Sequence, residues 1–306
     1  MAKMRLREKI RKGWELFKVS WKVLLENKKL VVFPLLTVGS FILFLVGVAP
    51  VLYGIYYSPA FYNTSSSHIS YFQFFKSIGW KNFSMLFFLS LGFSWLSIYI
   101  NASFLSCVID ILKENKISIS ASFKKTWALK GKIFQWSIVS SLVLTLLMTI
   151  ETYAEKLPFV GRWIVRAVSF LGGLAWAIGT FFVIPVLVNE NSGIIDSIKR
   201  SAELIKRSWG ETTSGYIIFV VVRDIIVVLP ALLIFVAAII CSVIWEPKIS
   251  YIMAMFCLPV IWIVFSSLVY AVLNNILNGA LYVYASEGVV PEGFNKDLLD
   301  NAWQVK

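Results

Sequence analysis

Six long apolar segments follow one another along the chain, with short polar segments between them. A helix needs about 20 mostly apolar residues to cross a bilayer, and each segment is close to that length or longer. We therefore predict six transmembrane helices, at Leu30–Tyr57, Phe83–Leu112, Ile133–Ile150, Ile164–Val188, Tyr216–Ile244 and Ile252–Tyr282. The expected fold is an all-α integral membrane protein that forms a single membrane domain over 1–306.

Two polar regions outside these spans have predicted structure of their own. The loop after the first span is expected to contain a short helix around Tyr71–Ile78. The polar tail, 286–306, is expected on the cytoplasmic side, where it could fold back on the basic helices of the chain. Its acidic residues are Glu287, Glu292, Asp297 and Asp300.

Composition agrees with a membrane protein and excludes a soluble enzyme. Of the 306 residues, 58% are hydrophobic and 15% are charged, and the mean hydropathy is +0.76. Soluble domains carry about a quarter charged residues. The shortage of charge leaves few side chains for chemistry inside the spans.

The net charge of +12 comes from basic residues that flank the apolar segments. The polar segments on one side of the predicted spans, 1–29, 113–132 and 189–212, carry 20 Lys and Arg residues. The segments on the other side, 58–81, 151–163 and 245–250, carry five. Because Lys and Arg accumulate in cytoplasmic loops, we expect a multi-pass protein of the inner (cytoplasmic) membrane with both termini in the cytoplasm. The same distribution favours anionic lipid over nucleic acid as the partner.

A short aromatic and basic pattern precedes the first, third and fifth predicted spans. It reads Phe17-Lys18-Val19-Ser20-Trp21, then Phe123-Lys124-Lys125-Thr126-Trp127, then Ile205-Lys206-Arg207-Ser208-Trp209. Residues four apart share a helical face, and Trp favours the membrane interface because its ring is apolar while its N–H stays wet. We therefore expect three amphipathic helices on the cytoplasmic surface.

The pattern also suggests an internal repeat. Each surface helix, with the helical hairpin that follows it, would form one of three units, at 1–112, 113–190 and 191–285. The alternative is that five-residue matches arise by chance, because basic juxtamembrane segments rich in aromatic residues resemble one another.

The Trp and Lys residues of these helices are the candidate lipid-binding residues. Lys side chains reach from an apolar surface to the headgroups, and anionic lipids attract them. Anionic membrane lipids are thus the expected partner, and other membrane-protein subunits are a second candidate. The set comprises Trp14, Lys18, Trp21, Lys22, Lys124, Lys125, Trp127, Lys206 and Trp209.

Polar residues inside the predicted spans form a second candidate set. Ionisable groups in a bilayer are costly and mark functional sites by default, whereas amide side chains often join helices. Arg223 and Asp224 either line a polar cavity or anchor the fifth span at headgroup depth, and the amides either connect helices or line a substrate path. Asp110 is expected to be exposed at the inner end of its span. The possible intramembrane polar site comprises Asn101, Arg223, Asp224, Asn274 and Asn278.

Catalytic and metal-binding motifs are missing from the sequence. His68 is the single histidine, and it lies in the predicted outer loop. The three cysteines lie in apolar segments without a close pair, as expected for small apolar side chains: Cys107, Cys241 and Cys257. We therefore expect no enzyme, no metal site and no cofactor.

Several stretches together resemble a known family. They are Gly13–Trp21, Phe33–Leu35, Phe182–Glu190, Ser197–Ser201 and Tyr282–Phe294. This combination is similar to an uncharacterised prokaryotic family of multispanning membrane proteins, a domain of unknown function. More distantly, the middle stretches, Phe182–Glu190 and Ser197–Ser201, resemble the membrane regions fused to glycerophosphodiester phosphodiesterases, although no catalytic domain of that kind is present. The resemblance implies a polytopic inner-membrane protein and transfers no functional residue.

Two classes of function follow from the sequence. The first is a non-enzymatic component that organises the membrane, associates with lipid or serves as an accessory subunit of a larger membrane complex. The alternative is a transporter or channel for a small or lipidic substrate, which would pass through a cavity between the repeats lined by Asn101, Asn274, Asn278 and Arg223. Polar residues converging on one wet cavity would favour the transporter, and pairing in a dry core would favour the first class.

Overall fold

The structure is a computed structural model, and it describes residues 6–57, 71–113, 118–208, 214–245, 249–291, 293–296 and 299. Within these ranges the chain is helical and contains no β-strand, which confirms the all-α prediction. The helices are α1 (Leu6–Glu26), a 3-10 helix (Lys28–Val31), α2 (Val32–Tyr56), α3 (Tyr71–Leu112), α4 (Ile119–Trp127), α5 (Lys130–Ala154), α6 (Phe159–Gly179), α7 (Val183–Asn189), α8 (Ile194–Ser208), α9 (Ser214–Trp245) and α10 (Ile249–Glu287).

Six helical segments are long and apolar enough to cross a membrane, so the predicted number of spans is confirmed for the described residues. They are Lys28–Tyr56, Gly79–Leu112, Lys130–Ala154, Phe159–Asn189, Ile225–Ser242 and Met255–Glu287. Many of their large apolar side chains are exposed, such as Leu43 in α2 and Phe170 in α6. Contiguous apolar exposure is rare on a soluble protein and is normal for a surface that faces lipid. The chain is a multi-pass membrane protein.

The fourth span is not the continuous helix predicted at Ile164–Val188. Helix α6 ends at Gly179, and the chain resumes as α7 at Val183 after three turn residues. Pro185 favours the break, because in a regular helix its ring would crowd the carbonyl of Phe181, four residues earlier. In the first turn of a new helix the missing N–H costs nothing.

Helix α3 changes direction at Gly79. The φ and ψ angles of this residue are 69° and 151°, a backbone conformation that glycine adopts readily and other residues avoid. The residues before it are helical, as predicted for Tyr71–Ile78, and the apolar span begins at Gly79.

The three segments with the aromatic and basic pattern all form helices, namely α1, α4 and α8. The hydroxyl residue of the pattern points inward: Ser20 and Thr126 are fully buried. The following Trp21 and Trp127 stay 39% and 49% exposed. A small buried hydroxyl residue leaves room for a neighbouring helix, and the Trp remains on the outer face. The position of these helices on a membrane surface and the three-fold repeat both stay predictions.

The chain divides into two compact units. The first comprises Met1–Pro34, Phe104–Ser122 and Ile178–Lys306, and the second comprises Leu35–Ser103 and Phe123–Ala177. The prediction of a single membrane domain is not tested by this division, because both units contain membrane spans.

The core of the first unit surrounds the last turns of α10. Its buried apolar residues there are Val272, Leu273, Ile276, Leu277, Ala280, Leu281, Val283 and Tyr284. Gly279 lets α10 approach α3 closely, since a Cβ atom at this position would lie 2.7 Å from Cγ1 of Val108. Phe33 stacks on Phe104 with a centroid separation of 4.9 Å, which ties the start of α2 to α3. Helix α1 packs against both α9 and α10.

Part of the tail packs against α1 in the same unit. Gly293 lies beside Val23, and Phe294 and Leu299 are buried. Glu287 forms an ion pair with Lys113 at the end of α3. The remaining acidic tail residues, Glu292, Asp297 and Asp300, lie outside the described residues.

The second unit is held together by aromatic and small apolar contacts between helices. Phe44 of α2 stacks on Phe93 of α3 at 4.8 Å, and Trp136 of α5 stacks on Trp176 of α6 at 5.8 Å. A small apolar cluster joins the last turns of α2 to α3: Val51 and Ile55 are buried, and Leu86 and Leu89 are half-buried. Antiparallel neighbours along the chain therefore pack as helical hairpins.

Candidate functional site

The outer face of α1 carries a ladder of stacked aromatic rings. Phe17 stacks on Trp14 at 5.3 Å and on Trp21 at 6.1 Å. We call these three residues the α1 ladder. Its Trp rings remain 42% and 39% exposed, because the opposite face of α1 is the buried one. The two Trp rings of the ladder are therefore stacked on Phe17 and still accessible from outside the chain.

Two lysines accompany the α1 ladder. Nζ of Lys18 lies 5.8 Å from the centroid of the Trp14 ring, within the range of a cation–π interaction. Lys22 is exposed, and its Nζ lies 3.9 Å from a carboxylate oxygen of Glu26 one turn later. An exposed pair of this kind contributes little stability, so Lys22 remains available to an external anion.

Trp127, at the end of α4, belongs to a second aromatic cluster. Its ring lies 6.3 Å from that of Trp95 and 5.7 Å from that of Tyr99, both of α3. Nζ of Lys130 lies 4.8 Å from the Trp127 centroid. The other lysines of this helix, Lys124 and Lys125, are exposed. Both α1 and α4 therefore present Trp and Lys side by side on an exposed face.

The third copy of the pattern is described in part. Ile205 of α8 is buried, whereas Phe17 and Phe123 at the same position of the pattern are half-buried, and Lys206 is exposed as Lys18 and Lys124 are. Trp209 lies outside the described residues. The exposure of a third Trp therefore stays a prediction.

The predicted intramembrane polar site is only partly described. Asn274 of α10 accepts a hydrogen bond of 3.2 Å from the hydroxyl of Tyr270, on the same helix. Oδ1 of Asn278, one turn later, is buried without a hydrogen-bond partner among the described residues. Asn101 of α3 is exposed. The other two members of the set, Arg223 and Asp224, lie in α9, and their side chains are outside the described part of the chain.

A polar cluster in the first unit, in which Tyr282 is buried while Glu190 and Arg200 remain partly exposed, was not predicted from the sequence. The hydroxyl of Tyr282 donates a hydrogen bond of 3.2 Å to Oε1 of Glu190, and Nε of Arg200 donates one of 3.3 Å to the same oxygen. Arg200 also reaches Glu203, one turn later on α8. Tyr282 is only 2% exposed. We call Glu190, Arg200 and Tyr282 the carboxylate cluster; it joins the end of α7 to α8 and α10.

Asp110 is buried, not exposed as predicted. Only 7% of the residue is accessible, and Oγ of Ser106 donates a hydrogen bond of 3.5 Å to its carboxylate. The prediction placed the residue correctly near the end of its span. It failed because the end of α3 packs inside the first unit, where neighbouring elements cover the carboxylate.

The break in the fourth span is fixed by a tertiary hydrogen bond. The buried N–H of Phe182 donates to Oγ of Ser201, on α8, at 3.0 Å. The flanking N–H groups of Phe181 and Val183 bond to carbonyls three residues earlier. An unpaired backbone N–H in a membrane protein is costly, so Ser201 stabilises the non-helical turn.

Comparison with known proteins places the chain in a family. The model of DUF6159, a family of unknown function, matches residues 81–292. The chain belongs to this family. No curated protein and no solved structure matches the chain.

The DUF6159 match covers the carboxylate cluster, the broken span and the aromatic cluster around Trp127, whereas the α1 ladder precedes it. Among the described residues of this DUF6159 protein, no group of three or more His, Cys, Asp and Glu side chains could hold a metal ion. His68 lies outside those residues.

The residues that sequence reasoning missed do leave a signal in the DUF6159 sequence. Glu190 directly follows an apolar span, and Arg200 lies ten positions later on the next amphipathic helix. Opposite charges at the two ends of such a short connection are close enough to form an ion pair. Tyr282 could not be identified this way, because its partner is 92 positions away.

Proposed function

We propose that this DUF6159 protein is a non-enzymatic, lipid-associated membrane protein. In this account its amphipathic helices hold anionic lipid at the inner surface of the cytoplasmic membrane. By ordering lipid there, the protein organises the surrounding membrane or serves as an accessory subunit of a larger membrane complex. The observation that carries the proposal is the exposed pairing of Trp and Lys on α1 and α4.

Trp and Lys side chains stabilise different parts of the contact with a membrane surface. An exposed Trp ring gains free energy at the boundary between headgroups and hydrocarbon, where its N–H stays hydrated. A lysine near an anionic bilayer surface contributes about 1 kcal/mol. Lys18 and Lys22 beside the α1 ladder, together with Lys124 and Lys125 beside Trp127, would therefore favour anionic over zwitterionic lipid.

The distant likeness to membrane regions fused to glycerophosphodiester phosphodiesterases also supports a membrane protein that associates with lipid. The stretch that carries the likeness includes Phe182–Glu190, around the broken span. The likeness concerns the membrane-spanning region and implies no catalytic activity, because no catalytic domain of that kind is present in this sequence.

Lipid retention by the purified protein tests the proposal. Replacing Lys18, Lys22, Lys124 and Lys125 together with Gln should lower the amount of co-purifying phosphatidylglycerol by roughly tenfold or more, given about 1 kcal/mol per lysine. Lipid mass spectrometry after gentle purification measures it. The matched control carries Arg at the same four positions and should retain the wild-type amount. Equal retention by the Gln variant would contradict the proposal.

A transporter or channel is the second candidate, and the broken fourth span favours it. Discontinuous spans surround the substrate sites of many transporters, because irregular backbone is tolerated where it borders a cavity. If the turn at Thr180 borders water, a cysteine there should react with a membrane-impermeant maleimide in a variant without the three native cysteines. Protection of that cysteine would remove the support for this candidate.

A further inference from the structure

An open groove lies beside the turn between α5 and α6, entirely within the second unit. Its volume is about 610 Å³, and its lining residues are Met148, Glu151, Thr152, Glu155 and Arg166. Two carboxylates and one guanidinium thus surround a space large enough for a small polar group. The groove is separate from the amphipathic helices and from the carboxylate cluster.

Glu151 is the anionic side of the groove. Its carboxylate accepts a hydrogen bond of 3.2 Å from Oγ of Ser169, a residue only 3% exposed on α6. Ser169 also contacts the carbonyl of Leu147 at 3.4 Å, so the hydroxyl is fixed between the two helices. Among the described residues, Glu151 forms no ion pair. Glu151 therefore lines the groove with a carboxylate that is bonded to Ser169 and has no ion-pair partner among the described residues.

Arg166 is the cationic side. Its Nη2 lies 3.9 Å from a carboxylate oxygen of Glu155, which is an ion pair but too long for a hydrogen bond. In the described part of the chain the Arg166 guanidinium makes no hydrogen bond, so its N–H donors are available. Arg162, one turn earlier, donates from Nη2 to the carbonyl of Glu155 at 3.2 Å, while its buried Nε has no partner.

Glu151 and Arg166 lie near the ends of two candidate membrane spans, on either side of the turn between α5 and α6. Glu151 lies three residues before the end of α5, which is about 4.5 Å along the helix, and Arg166 lies seven residues after the start of α6, about 10 Å. The headgroup layer is about 5–8 Å thick on each side of a bilayer, so Arg166 would reach it by extending its long side chain toward the interface. The exposed side chains next to the groove on the hydrocarbon side are apolar, among them Leu144, Met148, Val168 and Leu171.

We propose that this groove binds the headgroup of a zwitterionic phospholipid that carries a primary ammonium. The ammonium donates hydrogen bonds to Glu151, and the phosphate accepts them from Arg166, whose planar fork suits a phosphate. The acyl chains then lie against Met148 and the apolar residues below it. Phosphatidylethanolamine has this chemistry. The site goes beyond the proposed function, because it needs neither the basic helices nor an anionic lipid.

Native mass spectrometry of the intact protein in a neutral detergent tests the site. The protein is titrated with phosphatidylethanolamine, with phosphatidylcholine and with free phosphoethanolamine. Phosphatidylcholine is the reference, because its quaternary ammonium has the same charge and no N–H donor. We expect phosphatidylethanolamine to bind about tenfold more tightly, the usual size of a charge-assisted hydrogen bond. Free phosphoethanolamine should bind far more weakly than either lipid.

Substitutions of the groove residues test which side chains bind the ammonium and the phosphate. Glu151→Gln keeps an acceptor for Ser169 but loses the charge, and it should abolish the preference for phosphatidylethanolamine over phosphatidylcholine. Arg166→Gln should weaken both lipids. Glu203→Gln, an exposed carboxylate on α8, is the matched control and should bind both lipids as the wild type does.

Three results would overturn the proposal. They are equal affinity of the wild type for the two lipids, wild-type binding by Glu151→Gln and Arg166→Gln, and binding of free phosphoethanolamine as tight as that of the lipid. The first needs no variant and so does not depend on variant folding. Loss of phosphatidylglycerol selectivity in the four-lysine variant would leave this site unaffected, so the two proposals fail independently.

Discussion

The hydroxyl of Tyr282 donates a hydrogen bond of 3.2 Å to Oε1 of Glu190, although 92 positions separate the two residues. The bond ties the end of α10 to the residue that follows the broken fourth span. Since Arg200 donates to the same oxygen, one carboxylate holds three helical elements together. This geometry fixes the turn between α7 and α8, and with it the orientation of the third amphipathic helix.

Replacing Tyr282 with Phe should destabilise the protein by about 1–2 kcal/mol, because it removes a partly buried hydrogen bond to a charged group. Chemical unfolding in detergent, followed by circular dichroism, measures the change. Tyr153→Phe is the control, since the exposed Tyr153 hydroxyl makes no hydrogen bond in the described part of the chain. Equal stability of the two variants would show that the carboxylate cluster does not hold the helices.

Replacing Ser201 with Ala should lower the free energy of unfolding by about 1–3 kcal/mol, because it leaves the buried N–H of Phe182 without a partner. The same unfolding measurement applies. Ser242→Ala is the control: its hydroxyl bonds to the carbonyl of Ile239 in its own helix, so no backbone group is orphaned. A loss no larger than that of the control would mean that the turn does not depend on α8.

Replacing Gly279 with Ala should also destabilise the first unit, by about 1–3 kcal/mol, the usual cost of overpacking. The new methyl group would meet Val108 at 2.7 Å and Leu112 at 3.5 Å. Val108→Ala in the same chain should restore part of the loss by making room. Gly92→Ala, where no atom lies within 4 Å of the added Cβ, should unfold at the wild-type temperature or above it. A stable Gly279→Ala single variant would contradict the close approach of α3 and α10.

Six spans could be predicted from hydropathy because a single segment that crosses the bilayer core has to be helical. Each crossing must satisfy its hydrogen bonds within the helix, so a long apolar segment has to be a spanning helix. The predicted bounds differ from the observed ones by a few residues, as at Ile133–Ile150 against Lys130–Ala154. The third amphipathic helix, α8, was located from its pattern in the same way.

The break in the fourth span could not be predicted from proline alone. Pro230 and Pro259 lie inside continuous helices, whereas the helix is interrupted before Pro185. The difference is a tertiary contact: Oγ of Ser201, on α8, accepts a hydrogen bond from the N–H of Phe182. Hydropathy and local propensity contain no information about that partner.

The dependence on tertiary contacts also explains why the environments of several polar residues could not be predicted from the sequence. Asp110 was expected to be exposed because it lies near the end of a span, yet tertiary packing buries it. Hydropathy places Glu151 in a loop and Arg166 inside a span, and it does not show that both line the groove beside the α5–α6 turn. Whether a polar residue faces lipid, water or another helix depends on neighbours that are distant in sequence.

The most direct test of the central claim, that the amphipathic helices select anionic lipid, is an electron spin resonance measurement with spin-labelled lipids. It gives the association constant of phosphatidylglycerol relative to phosphatidylcholine for the reconstituted protein. The account predicts a ratio several-fold above one that falls at high salt, since exposed charges are screened. The ratio should approach one when Lys18, Lys22, Lys124 and Lys125 are Gln and persist when they are Arg. A wild-type ratio of one, or an unchanged ratio in the Gln variant, would contradict it.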